Sequence, residues 1–287
     1  MTMKSLSGSH AILTGATGGI GQCMAVQLAR RGVHLSLVAR SPQALRSLQD
    51  SLSRFPVQTC IIPTDLTQAQ PREAMLEAAR QSLGPVDVLI NNAACERSAR
   101  FESVRLDEIE QTVALNLTAV LHLSRLVLPE MIQRQRGHIV NISSLAGLGP
   151  LAFGEEYGAT KHGVVGFTRA LRASLQCQQH AVSASVICPG MIREAGMFAN
   201  KSREHGLKAP WILGTSAPQQ VADAVERAII RDLPDVIVGR PFTRLMVAVG
   251  VLFPRLSEVA ARWLRIHEPA RQAAQADRLT QRSEPPP

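Results

Sequence analysis

Aromatic side chains are scarce in this 287-residue chain: seven Phe, two Trp and a single Tyr, 3% in all. So few rings offer no stacking platform for single-stranded nucleic acid, and the net charge of +8 is therefore not read as a nucleic-acid surface. A membrane surface and an anionic ligand stay open as partners for that charge. The five cysteines (Cys23, Cys60, Cys95, Cys177 and Cys188) contain no CxxC pair and have no His at ligand spacing, which argues against a zinc motif or a disulfide framework. No metal is expected, and a reduced, cytosolic compartment is. The N-terminus has no charged stretch leading into a long apolar segment and a small-residue cleavage site, and no apolar run reaches the about 18 residues of a spanning helix. Low-complexity sequence is confined to the closing SEPPP, and no internal repeat is present.

Hydrophobic content is 45%, enough for a globular core, and the apolar residues come in a regular rhythm. The β-rich runs HAILTG, VHLSLVA, VQTCIIP, VDVLINN, GHIVNIS and AVSASVICPG alternate with helical patterns, and DVIVG at 235–239 closes the set. That alternation predicts βαβ units: an α/β fold with a doubly wound parallel sheet of about seven strands and helices on both faces. The rhythm stops after Gly239, giving one domain over 1–239, a helical extension over 240–268 and a flexible tail over 269–287.

The first strand runs into TGATGGIG, residues 14–21. Glycines at a strand-to-helix turn let backbone approach a pyrophosphate, and the helix N-terminus supplies free N–H groups. A lone glycine cluster can equally be a tight turn, but this one opens the first βαβ unit, where dinucleotide phosphates belong.

Thr14, Gly15, Gly19 and Gly21 in that turn, NNAA at 91–94, Asn116, Ser144, Tyr157, Lys161 and the Pro-Gly of 189–190 occur in an order and spacing that resemble the short-chain dehydrogenase/reductase family. The likeness covers about residues 8–240 and implies a single-domain Rossmann fold, a homodimer or homotetramer built on helices around 114–134 and 157–175, and a nicotinamide cofactor. It also implies a catalytic set of Asn116, Ser144, Tyr157 and Lys161. For the cofactor it implies Thr14, Gly15, Thr17, Gly18, Gly19, Ile20 and Gly21, then Arg40, Asp65, Leu66, Asn92, Ala93 and Ala94. Tyr157, Lys161, Pro189, Gly190 and Ile192 complete that set.

Part of this chemistry can be argued from the residues themselves. Tyr157 and Lys161, at i and i+4, share a helix face, and an ammonium beside a phenol favours the phenolate and lowers its pKa. Ser144, placed at the end of the strand GHIVNIS, can donate to a substrate oxygen as charge builds there, or simply cap the strand end. Ser143 faces the other way by strand alternation. By resemblance, Tyr157 passes a proton while hydride moves between nicotinamide and a carbonyl or alcohol carbon, Lys161 holds the ribose, and Asn116 holds a relay water; Asn116 capping a helix irregularity is compatible with that.

At the end of the second strand Ala39 stands where NAD-preferring members carry an acid, and Arg40 follows, which favours the 2′-phosphate of NADP(H). Asp65 would bond the adenine, or cap the next helix. Two departures stand out: Ala94 replaces the family's Gly, and Glu194 replaces the Thr that bonds the nicotinamide carboxamide. Residues 191–215, apolar through Met191, Ile192, Met197, Phe198, Trp211 and Leu213 and basic through Arg193, Lys201, Arg203 and Lys208, are expected to form a substrate lid for a small lipophilic carbonyl or alcohol. Packing of those side chains on the domain is the alternative. A dinucleotide-binding sensor or scaffold without turnover is the alternative function. The segment 240–267 carries five arginines against Glu258 and a nine-residue apolar run, and either covers the pocket or a subunit interface or meets a membrane surface.

Overall fold

The computed structural model describes residues 5–283, with side chains through 276. Seven strands form one sheet: β1 (His10–Thr14), β2 (His34–Ala39), β3 (Thr59–Pro63), β4 (Val88–Asn91), β5 (Gly137–Ile142), β6 (Val182–Pro189) and β7 (Asp235–Val238). They are ordered β3-β2-β1-β4-β5-β6-β7 and every neighbouring pair is parallel. β1, β4 and β5 are buried along their whole length, which parallel strands covered on both faces require. All seven expected strands are present, and the protein has the doubly wound Rossmann-like architecture.

Helices α1 (Gly19–Arg30), α2 (Pro42–Leu52) and α8 (Pro218–Arg231) cover one face. α3 (Ala69–Leu83) and α5 (Ala119–Gln133) cover the other, and α6 (Glu155–Cys177) lies beside them against β6. α2 shows how local sequence sets a boundary: the Ser41 hydroxyl accepts from the Ala44 N–H at 3.2 Å, and Pro42 occupies the first helical turn where its missing N–H costs nothing. α4 (Leu106–Val113) runs into α5 through a π-helical turn, Ala114–Thr118. By mean hydropathy the continuous stretch Leu106–Gln133 has the length and apolarity of a membrane-crossing helix, although polar residues interrupt its apolar runs. Its α5 portion packs Ala119, Leu123, Val127 and Met131 into the core, so core packing accounts for those residues.

Beyond β6 comes α7 (Gly196–His205), and beyond β7 come α9 (Thr243–Leu252), α10 (Pro254–Trp263) and α11 (Glu268–Ser283). α11 corrects the expectation of a flexible tail from 269. Its alanine-rich sequence favours helix, and Ala273 and Ala274 are buried, with α11 packing on α7. Residues 284–287 of that tail lie outside the described residues.

Candidate active site

The strand order reverses between β1 and β4, and a crevice opens there at the carboxyl ends of the strands, as the topology dictates. Two glycines make the floor possible. Gly15 has φ +63°, and a Cβ on it would sit 2.8 Å from Ala93 Cα; a Cβ on Gly21 would run into the Gly15 carbonyl. α1 therefore begins tight against the turn, with no acid in its first turn and no side-chain cap at Gly18. Its positive end faces the crevice, an arrangement suited to a pyrophosphate.

Thr14 is buried and does not line the cleft. Its hydroxyl donates to the Ile90 carbonyl at 3.2 Å and accepts from the N–H groups of Asn92 (2.9 Å) and Ala93 (3.1 Å). The Asn92 amide donates back to the carbonyls of Thr14 (3.0 Å) and Gly15 (3.1 Å). These two residues sew the glycine turn to the end of β4 and set its shape.

Tyr157 and Lys161 project from the first turns of α6, both buried. Lys161 Nζ lies 5.5 Å from the Tyr157 ring centroid and donates to the Ile142 carbonyl at 2.9 Å. Ser144 hydrogen-bonds the phenol. Burial, reinforced by the nearby Glu96 charge, pushes the Tyr157 phenol above its ordinary pKa, and the Ser144 bond offsets only part of this. Burial also pulls Lys161 down to about 8. The expectation of a lowered tyrosine is thus corrected: at this depth the cost of desolvating a phenolate, with the Glu96 charge added, raises the phenol. A phenol held protonated at neutral pH is equipped to donate.

Ser144 is not a strand residue either. β5 ends at Ile142, and Ser144 caps the short 3-10 turn Leu145–Gly147 by accepting from the Ala146 N–H at 3.1 Å. Ser143 also borders the cleft, and its buried hydroxyl donates to the Lys161 carbonyl at 2.9 Å; strand alternation does not apply to it, because β5 has ended.

Asn116 sits in the π-helical turn, fully buried, and does not line the cleft. Its amide accepts from the Cys95 N–H at 2.9 Å and donates to the Cys95 carbonyl at 2.8 Å, and it lies 3.4 Å from the Thr160 hydroxyl. The side chain acts as a two-point backbone partner that fixes the segment after β4, rather than as a cap on the helix irregularity in which it sits.

The other residues singled out in the sequence come together around one cleft of 1660 Å³: Thr17, Gly18, Gly19, Ile20, Arg40, Asp65, Leu66, Ala94, Pro189, Gly190 and Ile192 all line it with Gly15, Gly21, Asn92, Ala93, Ser144, Tyr157 and Lys161. Asp65 is no helix cap, because the residue before α3 is Gln68; its carboxylate instead accepts from the N–H and hydroxyl of Thr67, both at 2.9 Å, which holds its pKa below the usual carboxylate range. Arg40 is exposed at the same end of the cleft, close enough to act electrostatically on Asp65.

Lys201 on α7 donates to Ser98 at 2.7 Å and Glu96 at 3.1 Å, latching the lid to the segment after β4. No motif marks a pair more than a hundred residues apart. Part of the far wall comes from Met246, Val247 and Ile266 beyond Gly239, in keeping with the pocket-covering alternative for that segment.

The family profile described as short chain dehydrogenase matches residues 9–206. The chain belongs to that family. The ketoacyl reductase HetN of a Nostoc species is 35% identical over 269 residues, 92% of each chain, an alignment long enough to reach into the helices after Gly239. The D-beta-hydroxybutyrate dehydrogenase of Cupriavidus necator is 33% identical over 187 residues, 65% of this chain and 72% of the relative. Among solved structures, a metagenomic short-chain oxidoreductase in complex with NADP is 30% identical with a TM-score of 0.69, covering 81% of this chain and 97% of the other.

Within this short-chain dehydrogenase, the departures at 94 and 194 differ in consequence. Ala94 lines the cleft as a small residue. Glu194 does not line it: at φ +72° it turns outward, largely exposed, and pairs with Arg193 at 2.9 Å. The lid is divided too, with Met191, Met197, Phe198 and Leu213 facing the cleft while Trp211 faces away.

Proposed function

We propose that this oxidoreductase is NADP(H)-dependent and interconverts a carbonyl and an alcohol on a lipophilic substrate. The observation that carries the reading is the buried Tyr157–Lys161 pair with the half-buried Ser144 beside it, set between a glycine-floored dinucleotide crevice and an apolar wall. NADPH would supply hydride to the carbonyl carbon. Tyr157, its phenol held protonated, donates the proton to the nascent alkoxide, and Ser144 donates a hydrogen bond to the same oxygen. Lys161 bonds the ribose and sets the charge beside the phenol. Arg40, with no acid at Ala39, pairs with the 2′-phosphate by forked, charge-assisted bonds. Gly15–Gly21, Asp65–Leu66, Asn92–Ala94 and Pro189–Ile192 hold the rest of the dinucleotide, and Asn116 acts through the Cys95 backbone.

The apolar wall from α7, α9 and α11 supports a lipophilic tail, and two of the basic lid residues are already engaged, Lys201 with Glu96 and Arg193 with Glu194. We also infer homo-oligomerisation through the outer faces of α5 and α6, where Gly166 opens onto free space and offers close approach. The test is NADPH and NADH oxidation by purified protein over aldehydes, ketones and 3-ketoacyl thioesters of rising chain length. Faster NADPH oxidation that improves with chain length is expected. Absence of turnover with every carbonyl and every corresponding alcohol overturns the reading.

A further inference from the structure

The helices after Gly239 have two faces with different fates. On α9, Thr243, Met246, Val247 and Gly250 line the cleft, whereas Leu245, Ala248 and Leu252 are exposed on the opposite side. On α10, Leu256, Val259 and Trp263 recur at i, i+3 and i+7, and with Phe253 at the bend they are 57–88% exposed. This makes one contiguous apolar face on the outside of the molecule, which an isolated domain rarely presents. Arg255 and Arg262, seven residues apart, flank the α10 stripe, and among the described residues no salt bridge engages either. Trp211 of the lid, 69% exposed, shares a second hollow with Trp263, Lys208 and Arg265. Both tryptophans of the chain therefore sit on this side, beside cations.

We propose that α9 and α10 dock on an anionic lipid bilayer, lying in its surface. Each helix has ten residues, about half of what a span needs, so neither crosses. Apolar side chains enter the acyl boundary, the arginines meet lipid phosphates, and the tryptophans lie at headgroup depth. A second copy is a poorer occupant, because it brings the same excess of arginine to the contact. Val251 belongs both to the exposed face and to the cleft lining, so the docked face adjoins the substrate site and a lipophilic substrate can pass from bilayer to cleft. The inference stands on the outer face alone, and its failure leaves the reductase reading untouched.

The experiment is co-sedimentation of the full chain with phosphatidylcholine vesicles and with phosphatidylcholine–phosphatidylglycerol vesicles. Partition onto the anionic vesicles is expected to be at least about tenfold higher, and to fall with added salt. Leu256→Glu/Val259→Glu and, separately, Arg255→Glu/Arg262→Glu remove the binding while leaving the thermal melt and light-scattering mass unchanged. Failure of the wild type to sediment, or sedimentation of both variants like wild type, overturns the proposal. So does a fall in light-scattering mass in the variants without any vesicle binding by wild type, which makes the face a subunit contact.

Discussion

Residues 137–161 and residues 240–267 are similar in length and treat their side chains in opposite ways. In the first, β5 is paired on both edges, by β4 and β6, and its buried end and the 3-10 turn after it fix Ser143, Ser144, Tyr157 and Lys161 relative to one another. In the second, helices rest on the domain by one face and leave apolar residues outside. The proposed function puts chemistry where neighbours on several sides over-determine position, and selectivity where only one side is held. The contrast predicts that changes in the first stretch alter the rate of reaction, whereas changes in the second alter what is accepted.

Tyr157→Phe tests the first half most severely. It deletes one hydroxyl, keeps the ring that fills the site, and is expected to lower kcat about 10²–10⁴-fold with cofactor affinity retained. Dinucleotide binding by fluorescence and steady-state turnover separate the two. Turnover near wild type would move the proton donor elsewhere.

Lys161→Met trades function for stability. The buried ammonium has its pKa depressed to about 8 from 10.5, so the folded state binds fewer protons than the unfolded chain between those values. Stability from this group therefore rises as pH climbs from 8 to 10.5, and below 8 the burial cost is fully present. Methionine removes a cost of about 1–3 kcal/mol, partly offset by the lost bond to Ile142, and raises Tm at pH 7 by a few degrees while turnover collapses. The gain should shrink as the melt is repeated towards pH 10; a gain that does not depend on pH refutes the depressed lysine.

The sequence carried the strands and the residue set of the first region but not the depth of its side chains, and it carried the helical character of the second but not its outward face, for physical reasons. A parallel sheet buried on both faces writes itself as apolar runs with fixed helical intervals, and a crevice floor that cannot accept a Cβ writes itself as glycine at 15 and 21. Roles that depend on depth are not written so. The direction of the Tyr157 shift follows from burial and from the Glu96 charge, and the Lys201 latch and the Asp65 turn need coordinates. Helix α11 was missed because an alanine-rich polar segment shows its buried face only when α7 is there to meet it.

Arg40→Asp probes the cofactor end. It replaces the proposed phosphate partner with a like charge and is expected to shift the NADPH/NADH ratio of kcat/KM by about 10- to 100-fold towards NADH, with the melt unchanged because Arg40 is exposed. An unchanged ratio assigns the phosphate to another residue.

The smallest effect belongs to the second region and decides whether the comparison holds there. Val247 on α9 lines the cleft at a distance in sequence from every catalytic motif, and phenylalanine adds bulk to that wall without touching Ser144, Tyr157 or Lys161. If α9 only bounds the substrate tail, Val247→Phe leaves kcat/KM for a short ketone unchanged and lowers it for a long-chain one by roughly 10-fold, the cost of excluding one or two methylenes from an apolar pocket. Parallel measurements on a homologous series of ketones read the difference directly. An equal loss at every chain length would mean that α9 supports the catalytic group itself, and the division between a rigid chemical region and a tunable outer wall would fail.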